Sequence, residues 1–334
     1  MPQDSVVEQR YTLRETTPPD RWQIQVYIVT GGNTGVGKET ARILYSKNAR
    51  VYVAGRSADK SRSAIEEIRE AYPSSTGLID FIYLDLADLT TISATAEAFL
   101  ARETRLDVLI NNAGVGFLDR AQETKQGFEL QFGVNAIGHF ALVRLLTPVL
   151  CETARTAPRD SVRVVWVSSS AAEGLSPQAL MSSLDRIKDL YISRQYFCSK
   201  VGNYLHAVEF AAMYRDAGIV SLSANPGNLD SDLWRDLPRL LYAFLRSTFF
   251  YPSVYGAYTE LFCACSPDVT LEKSGSHVAP WGRFWSDRIS KDMTDAAKSK
   301  EQGGSGIAHD FWKWCSEKVD PFLPENHQRT VQTS

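Results

Sequence analysis

Cysteine is sparse and scattered in this chain. Its 334 residues hold five: Cys151, Cys198, Cys263, Cys265 and Cys315. An odd count does not suggest a disulfide framework, and the spacing forms no metal-like cluster. Cys263 and Cys265 are the only close pair, and such free cysteines read as ordinary core or surface residues. An excess of one charge sign is also missing. The formal net charge of −3 gives no electrostatic reason to expect nucleic acid or an anionic membrane as partner. Long apolar runs are absent too. The polar stretch Met1 to Arg10 has none of the kind a secretory signal needs. The most apolar later stretch, 237–265, is broken by Arg239, Arg246, Pro252 and Glu260. It therefore falls short of the roughly 20 apolar residues of a spanning helix. No internal repeat of fixed period appears. His139 and His206 fall on predicted helices without paired ligands, so both read as packing or surface residues, and no metal site is expected. A reducing, cytoplasmic compartment fits these absences.

What is present is the makeup of a globular protein, with 44% hydrophobic and 22% charged residues, enough to bury a sizeable core. Residues 1–22 read as an arm punctuated by Thr17, Pro18 and Pro19. Short β-branched runs then alternate with helical spacing. Strands are expected at 25–29, 51–54, 81–84, 107–110, 163–167 and 220–224. Helices are expected at 37–47, 61–71, 91–103, 128–150 and 195–216. This alternation predicts an α/β fold: a single Rossmann-type, doubly wound parallel sheet with helices on both faces. The alternation stops after Asn225, and 228–265 reads as a helical insertion on the substrate side. One domain is expected over 23–325, closed by a C-terminal helix within 303–325, with 326–334 as a tail.

Three glycines, Gly31, Gly35 and Gly37, sit in Thr30-Gly-Gly-Asn-Thr-Gly-Val-Gly37, after the first strand and at the start of the first helix. In that position glycines let the backbone approach a pyrophosphate, which helix N-terminal amides then hold. Asn33, Thr34 and Val36 fill the same loop. A carboxylate at the end of the second strand would bond the ribose hydroxyls of NAD and repel a 2′-phosphate. The chain has Ala54-Gly55-Arg56 instead. Arg56 offers a guanidinium suited to a phosphate, so NADP(H) is favoured over NAD(H); a solvated surface arginine is the other reading. Tyr196 and Lys200 lie four apart on a predicted helix and so face the same way. A nearby cation is expected to lower the phenol toward a useful range for proton exchange. Ser168, Ser169 and Ser170 end the fifth strand at the edge of the sheet where ligands bind in such folds.

On these motifs the chain resembles the short-chain dehydrogenase/reductase family, over about residues 24 to 232, and within it a retinol-dehydrogenase-like subgroup common in fungi. The glycine pattern at 30–37, Leu84-Asp85-Leu86, Asn111-Asn112-Ala113-Gly114 and Asn225-Pro226-Gly227 fall in the family's order. The resemblance implies that Asp85 meets the adenine, with Leu86 beside it, and that Asn112, Ala113 and Gly114 border the cofactor. It implies a catalytic set of Asn135, Ser169, Tyr196 and Lys200. The serine pattern points to Ser169, with Ser168 and Ser170 as close competitors. The backbone of Asn135 would hold a water linking Lys200 to solvent. Pro226, Gly227, Leu229 and Ser231 would border the nicotinamide amide. The implied activity is an NADP-dependent carbonyl reductase or alcohol dehydrogenase on a small molecule. Carbon–carbon double-bond reduction, redox-assisted cyclisation and a non-catalytic NADP-binding sensor are the alternatives. The loop from Met181 to Tyr191 and the aromatic stretch 240–251 are expected beside an apolar substrate pocket, although the latter also reads as plain helix packing. A lipid, retinoid, steroid-like or polyketide-like substrate, of the sort found in secondary metabolism, would suit that pocket. Family members often pair through helices at about 128–150 and 195–216, so a homo-oligomer is expected.

Overall fold

The computed structural model describes residues 25–118, 122–231, 239–285 and 288–328. The arm expected at 1–22 and the end of the tail lie outside them. Strand and helix alternate as β1 (Val26–Thr30), α1 (Gly35–Ser46), β2 (Arg50–Gly55), α2 (Ala58–Ala71), β3 (Leu78–Tyr83), α3 (Leu89–Leu100) and β4 (Val108–Asn111). They continue as α4 (Leu130–Thr156), β5 (Arg163–Val167), α5 (Pro177–Met181), α6 (Ile192–Tyr214) and β6 (Val220–Ala224). The chain then adds α7 (Arg239–Thr248), α8 (Ser253–Cys265), β7 (His277–Ala279), β8 (Arg283–Phe284), α9 (Lys291–Ala296) and α10 (Ile307–Val319).

The strands form one sheet in the order β3-β2-β1-β4-β5-β6-β7-β8, parallel except for the β7–β8 pair. Every residue of β1 is buried, because the sheet is covered on both faces. Val26 and Ile28 enter one core with α3, α4, α6 and α10. Tyr27 and Val29, on the alternate face, enter the other with α1, α2 and α8. Strand order reverses between β1 and β4, and such a switch point opens a crevice at the carboxyl ends of the strands.

Two expectations need correction. The alternation does not end at Asn225: β7 extends the parallel sheet beside β6, with Ser223 paired to His277. It is only three residues long, too short to show a period. The helical segment expected at 228–265 is also not one insertion. Its second half, α8, packs against α1 and the back of the sheet as a regular layer helix. Gly256 permits this close approach, since a Cβ there would lie 3.1 Å from Val36 Cγ2 of α1 and 2.2 Å from Leu229 Cδ1. Buried Arg163 fixes the end of α8, donating to the carbonyls of Cys263, Ser266 and Val269 at 2.9–3.0 Å.

The described helix most suited by length and composition to cross a membrane is α4, and 89% of its most apolar stretch is buried inside the protein. It is a core helix. A π-helical turn over Gly133–Gly138 interrupts it.

Candidate active site

A cleft of ≈ 1040 Å³ opens at the carboxyl ends of β1, β2, β4, β5 and β6. Its size is at the upper end for small-ligand sites, which run to about 1,000 Å³. The glycine loop forms one wall. Gly31 and Gly35 have φ of +67° and +53°, values that side chains rarely adopt. Thr34, the residue before α1, is extended and gives no side-chain cap to the first amides of α1, which stand at the glycine-loop wall of the cleft. Asn33 and Val36 line the cleft beside them. Gly37 does not. A Cβ there would meet Asn112 Nδ2 at 2.4 Å and the Gly31 carbonyl at 2.6 Å, so this glycine serves the packing of the loop.

Asn112, Ala113 and Gly114 form the floor. Asn112 donates to the Thr30 carbonyl at 2.7 Å, and the Ala113 N–H donates to Thr30 Oγ1 at 2.9 Å. Asp85 and Leu86 line the cleft after β3. Asp85 accepts the Ala87 N–H at 3.0 Å, which holds its carboxylate in a turn. Arg56 lines the same end, along with Lys38 and Lys60. Lys38 pairs with Glu67 at 2.5 Å. Across the cleft, Gly227 turns the chain at φ +96°. Pro226, Leu229 and Ser231 line that wall. A Cβ on Gly35 would lie 3.6 Å from Ser231 Cβ, so the two walls face each other. Asp230 points away from the cleft's lining. It pairs with Arg246 at 2.9 Å and accepts the Tyr242 hydroxyl, tying α7 to this wall.

The chemistry-bearing groups meet at the remaining wall. Tyr196 and Lys200 lie on one face of α6, with the Lys200 ammonium 5.4 Å from the Tyr196 ring centre. Among the three serines, Ser169 hydrogen-bonds the Tyr196 hydroxyl. Ser168 instead donates to the Lys200 carbonyl at 2.7 Å. The expected lowering of the phenol does not occur. Burial pushes Tyr196 well above the ordinary phenol value, and the Ser169 bond opposes this only in part. The ammonium points elsewhere, donating to the Val167 carbonyl at 2.9 Å. Burial lowers Lys200 itself to about 8, opposed by the charge of Glu260. The phenol is therefore held protonated.

Asn135 does not line the cleft. It stands in the π-turn, where its side chain clamps Val115, accepting from the N–H at 2.8 Å and donating to the carbonyl at 2.9 Å. Its Nδ2 also donates to Ser199 Oγ at 3.0 Å, and that hydroxyl donates to the Tyr196 carbonyl at 2.7 Å. The main-chain oxygen of Asn135 is met by His139 Nδ1 at 3.0 Å.

Sequence reasoning missed several residues. Phe117 has a left-handed backbone at φ 50°, and its ring lies 4.7 Å from that of Tyr196. Gln131 accepts the Phe117 N–H at 3.0 Å and so holds this loop. Phe117, Leu118, Leu130 and Phe197 supply the apolar wall. No described residue of 240–251 or of 181–191 lines the cleft; Ser170, Ala171 and Gly174 line it instead. Of the aromatic stretch, Phe249 and Tyr251 are exposed, and the side chains of Leu240, Leu241 and Phe244 lie outside the described residues. Only Phe117's place three residues after Gly114 hinted at a role.

Comparison with known proteins agrees with this geometry. A family model for short chain dehydrogenase matches residues 25–239. A short-chain dehydrogenase/reductase of Phomopsis amygdali is 48% identical over 304 residues, covering 90% of each chain. Another, bet4 of Neocamarosporium betae, is 44% identical and covers 90% of this chain and 87% of its own. Among solved structures, the Pseudomonas aeruginosa RhlG/NADP active-site complex superposes with a TM-score of 0.61 at 21% identity, covering 78% of this chain and 96% of that one. An NADPH-bound carbonyl reductase from chicken fatty liver gives 0.59 at 20% identity, covering 78% and 94%. At such identities the superpositions speak for the fold.

Proposed function

Because the chain belongs to the short-chain dehydrogenase family of NAD(P)-dependent oxidoreductases, we propose that it reduces the carbonyl group of a neutral, largely apolar small molecule with NADPH. The observation that carries this is the Ser169–Tyr196–Lys200 group set against the glycine loop in one cleft. The residues present fit the dinucleotide: Gly35, where an added Cβ would meet nothing nearer than Ser231 Cβ at 3.6 Å, leaves room for a pyrophosphate at the N-terminus of α1. Arg56 and Lys60 lie where the adenosine end would rest, and among the described residues Arg56 makes no ion pair that would compete for a phosphate.

When bound, the reduced nicotinamide supplies the hydride. Ser169 hydrogen-bonds the substrate oxygen and steadies its developing negative charge. Tyr196, kept protonated by burial, donates its proton to that oxygen, which favours the reducing direction. Lys200 sits beside the phenol with its own value near the operating range, suited to pass the proton back. Asn135 steadies the turn of α6 that carries both. The substrate end of the cleft is lined by Phe117, Leu118, Leu130 and Phe197; apart from Lys200 beside the phenol, the cationic side chains that line it, Lys38, Arg56 and Lys60, lie at the other end. An uncharged, apolar carbonyl compound matches that division.

The test is NADPH consumption across a panel of apolar ketones and aldehydes. Tyr196→Phe should lower kcat by about 100-fold or more, with NADPH binding retained. Full turnover by that variant would overturn the proposal.

A further inference from the structure

One buried histidine has no part in the reaction as proposed. His139 follows directly on the π-turn of α4 and is fully buried. Its Nδ1 lies 3.0 Å from the Asn135 main-chain oxygen, and its Nε2 lies 2.9 Å from Thr30 Oγ1. Thr30 ends β1 at the start of the glycine loop, and the same hydroxyl oxygen accepts the Ala113 N–H. The groups available fix the direction of each bond. A carbonyl has no proton to give, so Nδ1 carries the hydrogen. A neutral imidazole has a single N–H, so Nε2 accepts and the Thr30 hydroxyl donates to it. Burial lowers the ring to about 4, with the Lys200 charge adding to the effect, so it stays neutral at working pH. A single directed chain therefore runs from the Ala113 N–H through the Thr30 hydroxyl and His139 to the Asn135 carbonyl. From Asn135 the amide continues it to Ser199 Oγ and on to the Tyr196 carbonyl.

We propose that His139 is a positioning residue that joins the floor of the nucleotide cleft, through Asn135, to the turn of α6 bearing Tyr196 and Lys200. The inference rests on the reading of Tyr196 and Lys200 as the proton-transfer pair. It differs from a mere packing role in the pattern it gives. With His139→Phe the Thr30 hydroxyl can turn to the Ile110 carbonyl, 3.3 Å away, so the cleft floor keeps its bonds. The Asn135 carbonyl, by contrast, loses its bond to the ring and with it the link to the cleft floor. Kcat should fall about tenfold, as for a small misplacement of reacting groups, with the NADPH dissociation constant within about twofold. Thr30→Val removes the acceptor of the Ala113 N–H and should weaken NADPH binding itself. His139→Gln offers both a donor and an acceptor and should restore most of kcat.

The experiment measures NADPH binding by fluorescence and steady-state kinetics for the three variants. It also assigns the His139 tautomer in the native protein by ¹⁵N NMR, with Nδ1 protonation expected. Native kcat in folded His139→Phe, or an Nε2-protonated ring, would overturn the inference. If His139→Phe does not fold, the tautomer and the Gln variant decide it: an Nδ1-protonated ring with kcat retained supports the proposal, and loss of kcat in Gln counts against it. Turnover surviving Tyr196→Phe would strike the proposed function instead, leaving the tautomer assignment and the contrast in NADPH binding intact.

Discussion

At the end of β2 the chain places no carboxylate. Gly55 and Arg56 line the cleft there, and Gly55 leaves space in which Asn33 Oδ1 would lie 3.4 Å from an added Cβ. A guanidinium bonded to a phosphate contributes about 1.5–3 kcal/mol, and 1.4 kcal/mol is tenfold in affinity. Arg56→Ala should therefore weaken NADPH by about 10- to 100-fold and leave NADH nearly unchanged, read as two dissociation constants. An unchanged preference would remove Arg56 from the account. His206 presents a different case. Its ring lies 5.0 Å from those of Phe140 and Trp166 and 4.9 Å from that of Phe311, and neither nitrogen has a hydrogen-bond partner among the described residues. It is used as an apolar aromatic, in keeping with the packing role expected from sequence. His139 was read in the same way, yet both of its nitrogens are bonded. The two differ only in what the fold brings near them, which no local spacing encodes.

Among the elements, α8 shows how a layer helix is secured. Arg163 opens β5, at the end of the sheet opposite the cleft, and its guanidinium closes three carbonyls at the C-terminus of α8. Positive charge is favoured there by the helix dipole. Arg163→Met should cost about 3 kcal/mol, because buried carbonyls lose a charged donor, while the kcat of folded protein holds. Urea unfolding and kinetics on the same sample measure both. The π-turn of α4 is the other decisive element. Gly133 and Gly138 allow it to pack tightly: a Cβ at Gly138 would lie 2.5 Å from the Leu86 carbonyl, and one at Gly133 2.3 Å from Thr124 Cγ2. Sequence periodicity predicted a long helix here but had no means of revealing the extra residue in the turn, since the apolar pattern on both sides remains helical.

For the whole molecule, the C-terminal helix bears on how copies of the chain could pair. Phe311 and Trp312 of α10 are buried against α4 and α6, with Trp312 4.7 Å from Phe140 and Phe311 3.1 Å from the position of a Cβ on Gly202. One face of the helices expected to pair two subunits is thus occupied by the chain itself. Light scattering after size exclusion should give a monomer mass near 37.3 kDa. A dimer resting on α4 and α6 would require α10 to be displaced. Acid stability is also a property of the whole fold. Burial lowers His139 and His277 to about 4 and His206 to about 3, against an ordinary value of 6.5. Between pH 6.5 and 4 the unfolded chain binds these protons and the folded chain does not. The contribution of these rings is therefore full above pH 6.5 and is lost as pH falls, by about 1.4 kcal/mol per unit for each ring. Glu260, raised by burial to about 8, acts in the opposite sense, holding a proton in the folded state above pH 4.5 that the unfolded chain has released. It offsets one of the three. Urea midpoints from pH 6.5 to 5 should fall with a slope of about two protons, and His206→Phe should reduce that slope by about one.

The alternation of strands and long helices up to β6, the glycine loop after β1, and the four-residue step from Tyr196 to Lys200 followed from local spacing alone. Each depends on neighbours along the chain, and backbone geometry turns such spacing into position. The tertiary fold decided which serine meets the phenol, that the phenol stays protonated, and that Phe117 rather than the 240–251 stretch lines the cleft. It also decided that α10 lies over α4 and α6. Those outcomes depend on burial and on contacts between residues far apart in sequence, and neither is set until the two cores close around the sheet.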